Sequence, residues 1–253
     1  MNVHSCTFTV LQNQIITLSS PMSPSFIDHI LVLVFGLVLP FFSGIRGSEQ
    51  LGNINFDERT RRKFFISNSL LLWFMTAIVM LIWFLYDRPF SLMGFRKIET
   101  GWLPWILTLL MVAAYAVDMI YSIFSPEELR KTQEQWESSV PFLPEHYREL
   151  PAYTFMCITA GVCEEILFRG FMVTYFIDPM HTGFPWMAAV FPAILFSLAH
   201  FYQGYKAMIK IFLLSLLFAL IFIFSKSLLI VIIIHFLIDF AGGIAAIRMK
   251  KNG

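Results

Sequence analysis

The sequence predicts an all-α, polytopic membrane protein: a helical bundle with about seven transmembrane helices. Of its 253 residues, 57% are hydrophobic and only 14% are charged, whereas soluble domains are roughly 45–50% apolar and about 25% charged. The mean hydropathy is +0.70. The 28 Phe and 6 Trp residues are more aromatic surface than the core of such a chain would bury. These values exclude a soluble globular domain and a disordered chain.

Seven apolar segments approach the length that crosses a bilayer as a helix, which is about 20 residues. They cover residues 27–42, 64–86, 102–124, 151–177, 184–201, 205–224 and 227–247. The links between the last three segments are short. We therefore expect those three segments to form adjacent antiparallel helices.

Two stretches outside these segments are more polar. Residues 1–26 lack the basic start of a signal peptide and are interpreted as a surface segment or a short interfacial helix. Residues 125–150 predict a helical connector on the membrane surface, with Trp136, Phe142 and Leu143 reaching into the lipid headgroups. The chain accordingly divides into N-terminal transmembrane helices with this connector, residues 1–150, and a core at residues 151–248.

The basic residues are distributed asymmetrically between the two sides of the predicted bundle. Most of the 18 Lys and Arg residues fall in loops on the side where the chain ends. Because basic loops stay in the cytoplasm, we expect the C-terminus in the cytoplasm and the N-terminus outside. A net charge of +1 gives no reason to expect a nucleic-acid partner, so membrane lipid is the expected surrounding.

Several ionisable residues lie inside apolar segments, where each costs roughly 2.5–3.5 kcal/mol on insertion scales unless it is paired or hydrated. The core contains six of them: Glu164, Glu165, Arg169, His200, His235 and Asp239. Asp118 lies in the third segment and is expected to pair with Arg169 or a histidine, or to face an aqueous cavity. Asp28 and His29 lie at the outer end of the first segment and are expected to be interfacial.

Helical spacing assigns different environments to the two adjacent glutamates. Glu165 and Arg169 are four residues apart on one face, so Arg169 can neutralise Glu165. Glu164 is rotated by about 100° from Glu165 and remains available as a general base. His235 and Asp239 also share a face, and a carboxylate at this spacing can orient an imidazole. All these groups fall between mid-membrane and the cytoplasmic surface, which predicts one site.

Two imidazoles and a carboxylate are compatible with two mechanisms. Glu164, His200 and His235 could bind zinc and a water molecule. Without a metal, Glu164 would deprotonate water, His200 would orient that water and His235 would stabilise the oxyanion. Both mechanisms hydrolyse a carbonyl compound, and the expected target is the amide bond of a peptide inside the membrane. The zinc-protease motif His-Glu-x-x-His is absent from the sequence.

Three motifs resemble those of the CPBP family of intramembrane proteases, which includes CAAX prenyl endopeptidases and bacterial Abi proteins. They are Glu164-Glu165-x-x-x-Arg169, Phe196-x-x-x-His200 and His235-x-x-x-Asp239, in the family's order and spacing. The resemblance covers residues 150–248 and identifies residues 151–248 as the protease core.

The resemblance implies a helical bundle with a conical catalytic cavity open to the cytoplasmic side. It assigns Glu164 as the base, Glu165 and Arg169 as supporting residues, and His200, His235 and Asp239 as site residues. The family has been described both as metalloproteases and as glutamate-dependent enzymes. We expect no required cofactor, with zinc as the alternative. The expected substrate is a membrane-anchored protein or peptide, and a bacterial inner membrane is the expected location.

Two other functions stay open. Intramembrane Glu, His and Asp residues also build proton relays, which would suit a proton-coupled transporter, but no internal repeat of the kind common in transporters is visible. A non-catalytic membrane binding or immunity protein is the second alternative. Its expected sign would be the loss of Glu164 or a histidine, and all of these residues are present.

Overall fold

The chain forms a helical bundle in a computed structural model that describes residues 22–99, 101–122, 124–177 and 186–252. No β-strand occurs among these residues. The prediction of an all-α membrane protein is therefore confirmed. The interpretation of residues 1–26 falls largely on residues 1–21, which lie outside the described part of the chain.

Within the described ranges, eight helices, α1 to α8, follow one another along the chain. Helix α1 combines Phe26–Leu31, a π-helical stretch Val32–Val38 and Leu39–Gly52. Helix α5 combines Leu150–Glu165, a π-helical stretch Ile166–Val173 and Thr174–Ile177. The others are α2 (Glu58–Leu85), α3 (Trp102–Ser122), the connector helix α4 (Pro126–Ser139), α6 (Met187–Ala199), α7 (Tyr205–Ser225) and α8 (Leu228–Asn252).

Five of these helices are long and apolar enough to cross a membrane, and each matches a predicted segment. The spans are Phe26–Gly44, Glu58–Leu85, Trp102–Ser122, Tyr205–Ser225 and Leu228–Lys251. The remaining two predicted segments correspond to α5, which carries buried charges, and to α6, which has 13 residues. We call the end of the bundle that carries α4 and the end of α8 the connector end. At this end three helices extend beyond their apolar parts, namely α1, α2 and α8.

Helix α5 is the central helix, packed against α2 on one side and α8 on another. Every residue of its π-helical stretch is buried. Gly161 permits the close approach of α8, because a Cβ there would lie 3.1 Å from the Ile232 carbonyl oxygen and 3.2 Å from the Phe236 nitrogen. Small residues allow such close contact between membrane helices. This contact brings the middle of α8 against the Glu164–Glu165 turn of α5.

The connector folds back over the end of the bundle. Phe142 is buried, and its ring stacks on Phe64 of α2 at a centroid distance of 4.8 Å. Leu143 packs against the same aromatic cluster, and Trp136 lines a cavity between the connector and the bundle. For Phe142 the prediction of a side chain in the headgroups is wrong, because its ring is enclosed by the protein. Trp136 and Leu143 are half-buried, and their contact with the headgroups stays a prediction.

The opposite end of the bundle contains a buried ion pair. The Asp28 carboxylate is fully buried and accepts hydrogen bonds from both terminal nitrogens of Arg88, at 2.8 and 2.6 Å. The Ser25 hydroxyl caps α1 by accepting from the Asp28 backbone N–H, and the Asp28 carboxylate accepts in return from the Ser25 backbone N–H. The sequence predicted an interfacial Asp28, whereas the folded chain encloses its side chain. The pairing could not be read from the sequence, because Arg88 is 60 residues away.

Candidate active site

A cavity of about 510 Å³ opens between the connector and the bundle. The acidic and imidazole side chains that line it are Glu164, His200, His235 and Asp239. They come from α5, from the end of α6 and from α8. Aromatic residues of α2, α3 and the connector form much of the remaining wall. Three segments that are distant in sequence therefore contribute carboxyl and imidazole groups to one cavity. Their depth along the predicted helices indicated such a common site.

Glu165 and Arg169 form a buried ion pair behind this cavity. The Arg169 Nη1 donates to Glu165 Oε1 at 2.8 Å, and both side chains are at most 1% exposed. Arg169 Nη2 donates to the Ser215 hydroxyl at 2.9 Å. The guanidinium also lies over the rings of Phe196 and Phe218, at 4.8 and 5.1 Å from their centroids. This confirms the predicted i, i+4 pairing. The Arg169 guanidinium is fixed by one carboxylate, one hydroxyl group and two aromatic rings.

His235 lies among three carboxylates. Its Nδ1 is 2.7 Å from Glu165 Oε1. Its Nε2 faces the cavity, 3.7 Å from Glu164 Oε2 and 3.5 Å from Asp239 Oδ2. The imidazole ring stacks on Phe218. Sequence spacing predicted Asp239 as the carboxylate that orients His235, but the shortest contact is to Glu165 on a different helix. Spacing within one helix could not reveal that contact.

The Glu164 carboxylate faces the cavity and takes no part in the Arg169 pair. Its side chain is 17% exposed, and the nearest ionisable group is His235. A carboxylate at a cavity wall can accept a proton from water, whereas one held by a guanidinium is a weaker base. The two neighbouring glutamates thus occupy the different environments that helical rotation predicts.

His200 lies at the end of α6, in the wall of the same cavity. Its Nδ1 is 2.9 Å from the Phe196 carbonyl oxygen, which can only accept a hydrogen bond. The proton of a neutral His200 therefore resides on Nδ1, and Nε2 is left as an acceptor. The ring is also close to Phe196 and to Tyr202 in the following turn. Burial raises the pKa of the Tyr202 phenol to about 12, so this wall carries no phenolate near neutral pH.

The donor set does not make a preassembled metal site. Among the residues that the structure describes, no three His, Cys, Asp or Glu side chains are grouped so that they could hold one metal ion. The Nδ1 atom of His235 is already occupied by its contact with Glu165. The zinc ligands considered from the sequence, Glu164, His200 and His235, line one cavity but do not fit together as ligands.

Asp118 does not belong to this site. It pairs with Lys210 of α7 at 2.6 Å, and the side chains are 51% and 65% exposed. The expected pairing with Arg169 or a histidine is wrong. Those partners are enclosed behind α5 and α8, whereas Asp118 lies on an exposed face of α3.

Two tyrosines that the sequence analysis did not select hold the part of α8 that carries the site. The Tyr153 hydroxyl donates to the Asp239 carbonyl oxygen at 2.9 Å, and the Tyr115 hydroxyl donates to the Ile238 carbonyl oxygen at 3.1 Å. Both tyrosines line the cavity. Tyr153 lies on the same face of α5 as Glu164, three turns earlier, and that spacing could have identified it.

Comparison with known proteins finds one family. The family model described as Type II CAAX prenyl endopeptidase Rce1-like matches residues 147–241. That range includes all six site residues predicted from the sequence, and the match confirms the resemblance based on three motifs. Neither the curated proteins nor the solved structures contain a match to this chain.

Proposed function

We propose that this integral membrane chain, whose residues 147–241 match a family of CAAX-type proteases, is a glutamate-dependent intramembrane endopeptidase. The observation that carries the proposal is the difference in environment between the two adjacent glutamates. Glu165 is paired with Arg169 and His235, while Glu164 faces a cavity beside His235 Nε2. One carboxylate supports the site and the other is free to act on water.

The reaction begins with a water molecule between Glu164 and the scissile carbonyl group. Glu164 removes a proton as the water oxygen bonds to the carbonyl carbon. His200, through its acceptor Nε2, helps to orient that water. The carbonyl electrons move to oxygen, giving a tetrahedral intermediate with a negative charge. The protonated Glu164 then returns its proton to the amide nitrogen as the carbon–nitrogen bond breaks, releasing an amine and a carboxylic acid.

His235 is proposed to stabilise the oxyanion through Nε2. Because Nδ1 donates to Glu165, Nε2 carries a proton only in the imidazolium form. That form places a positive charge among the carboxyl groups of Glu164, Glu165 and Asp239. Arg169 supplies only one positive charge to balance these three groups. Asp239 and Glu165 fix the ring so that its N–H bond is oriented before the intermediate forms, as electrostatic stabilisation requires.

The substrate is proposed to be a membrane-anchored protein or peptide. Aromatic side chains line the cavity and suit an apolar segment, and the connector end offers an exit for a polar segment. The asymmetry of the basic loops supports placing the connector end in the cytoplasm. The bacterial inner membrane is the location proposed for the protein.

Cleavage of membrane-anchored peptides by the purified protein in liposomes tests this function. We expect the wild-type chain to cleave and both Glu164→Ala and His235→Ala to lose activity while remaining folded. A metal chelator is expected to leave cleavage unchanged. Cleavage that survives Glu164→Ala would contradict the role of Glu164 as base, and loss of cleavage with the chelator alone would replace glutamate-activated water by metal-activated water.

A further inference from the structure

An asparagine on α2 faces the catalytic cavity without an assigned role. Asn68 lines the cavity one turn after Phe64, which also lines it. Within the described residues the Asn68 side chain makes no hydrogen bond. The side chain is half-buried, and its carboxamide offers two N–H donors and a carbonyl acceptor. The cavity is the place where this amide can find a partner.

Three contacts of α2, one with the residue before α5 and two with α5 itself, fix the level of Asn68 along the bundle. Arg61 reaches Glu149 at 3.4 Å, and the Phe65 ring lies 5.4 Å from the Tyr153 ring. Further along, the Trp73 indole N–H donates to the Thr159 hydroxyl at 3.2 Å. The two helices therefore run in the same direction.

Asn68 falls between the second and third of these contacts. This places Asn68 near the level of Met156, a second cavity-lining residue. Glu164 is eight residues beyond Met156 on the same helix. At 1.5 Å per residue the base is about 12 Å deeper in the bundle than Asn68. An extended peptide advances about 3.4 Å per residue, so this separation corresponds to three or four substrate residues.

We propose that Asn68 is a substrate-binding residue whose side-chain amide pairs with a main-chain amide of the bound peptide, three or four residues from the scissile bond. A carboxamide and a peptide group are complementary, since each offers an N–H and a carbonyl. This pairing involves the main chain of the substrate and none of its side chains. It would therefore hold the peptide in register over Glu164 and tolerate substrates of different sequence. This inference rests on the proposed peptidase function.

Substitution of Asn68 should weaken binding without changing chemistry. Asn68→Leu removes both hydrogen bonds and is expected to raise KM about tenfold at unchanged kcat. Ser67→Leu is the matched control, because Ser67 is adjacent on α2 but exposed outside the cavity. It is expected to leave KM as it is. Thermal unfolding of each variant in detergent shows whether the fold is intact.

A second measurement uses only the wild-type protein. A series of substrate peptides, each with one main-chain N–H replaced by an ester oxygen, locates the paired amide. One ester, three or four residues from the scissile bond, should raise KM nearly as much as Asn68→Leu. In the Asn68→Leu variant, that ester should cause little further rise in KM, because the hydrogen bond it deletes is already missing.

The outcomes separate the subsite from the enzyme activity. Cleavage with equal KM for Asn68→Leu and Ser67→Leu, or an ester series without a sensitive position in that range, would overturn the subsite alone. Additive effects of the variant and the ester would also overturn it. If the wild-type chain cleaves no peptide, the proposed function fails first and the subsite fails with it.

Discussion

Replacing Arg169 by methionine removes the cation on which the buried half of the site depends. Methionine retains most of the side-chain length and apolar volume, so the change is largely one of charge and hydrogen bonding. Glu165 would keep only His235 as a partner, because its Oε2 atom already has none among the described residues. The Ser215 hydroxyl would lose its guanidinium donor.

The expected loss of stability is about 4 kcal/mol. Removing one partner of a buried ion pair typically costs 3–5 kcal/mol, because the other charge stays buried and uncompensated. The two ring contacts to Phe196 and Phe218 disappear with the guanidinium and add a smaller loss. Arg169→Lys keeps the charge but cannot bond Glu165 and Ser215 at once, so we expect it to lose about 2 kcal/mol.

Equilibrium unfolding in mixed detergent micelles, followed by tryptophan fluorescence, gives these free energies by linear extrapolation. Arg130→Met is the matched control. Arg130 also pairs with a glutamate four residues away, Glu134, at 2.7 Å, but the side chains are 66% and 61% exposed. Its loss should be within about 0.5 kcal/mol. Equal losses for Arg169→Met and Arg130→Met would refute the reasoning that burial makes the Glu165 pair decisive.

Three further substitutions test other parts of the account. Tyr153→Phe deletes the hydrogen bond to the Asp239 carbonyl oxygen; we expect about 1 kcal/mol less stability and slower turnover in the cleavage assay. Arg88→Met leaves Asp28 buried without its partner; unfolding should become easier by about 3–5 kcal/mol, with cleavage per folded molecule unchanged because the pair is at the opposite end of the bundle. Gly161→Val forces α5 and α8 apart where the Gly161 backbone packs against Ile232 and Phe236; turnover should fall at least tenfold, and wild-type turnover would contradict that packing.

The helices could be predicted from sequence because membrane insertion imposes a length and a composition on each of them. Each predicted segment is helical over most of the part that the structure describes, and only residues close to the segment ends, such as Tyr86, Phe124 and Ser227, lie outside the helices. The exact ends were less predictable. Polar residues continue α2 back to Glu58, where Asp57 caps its first turn, and hydropathy carries no signal for that extension.

Contacts within one helix were also predictable, whereas contacts between helices were not. The Glu165–Arg169 pair follows from a spacing of four residues. The contact of His235 with Glu165 joins residues 70 apart and depends on how α8 packs against α5. Asp118 illustrates the same limit, because its partner Lys210 is 92 residues away. Without a known helix arrangement, an ionisable residue in an apolar segment indicates a partner but does not identify it.

Whether Glu164 activates the water is tested by comparing Glu164→Gln with Glu165→Gln in one cleavage assay, in liposomes made with ¹⁸O-labelled water. Each substitution removes one carboxylate at almost constant shape. We predict that Glu164→Gln folds as stably as the wild type yet releases no labelled product, while Glu165→Gln loses stability together with activity. Labelled product formed by Glu164→Gln at close to the wild-type rate would contradict the assignment of Glu164 as the residue that activates water.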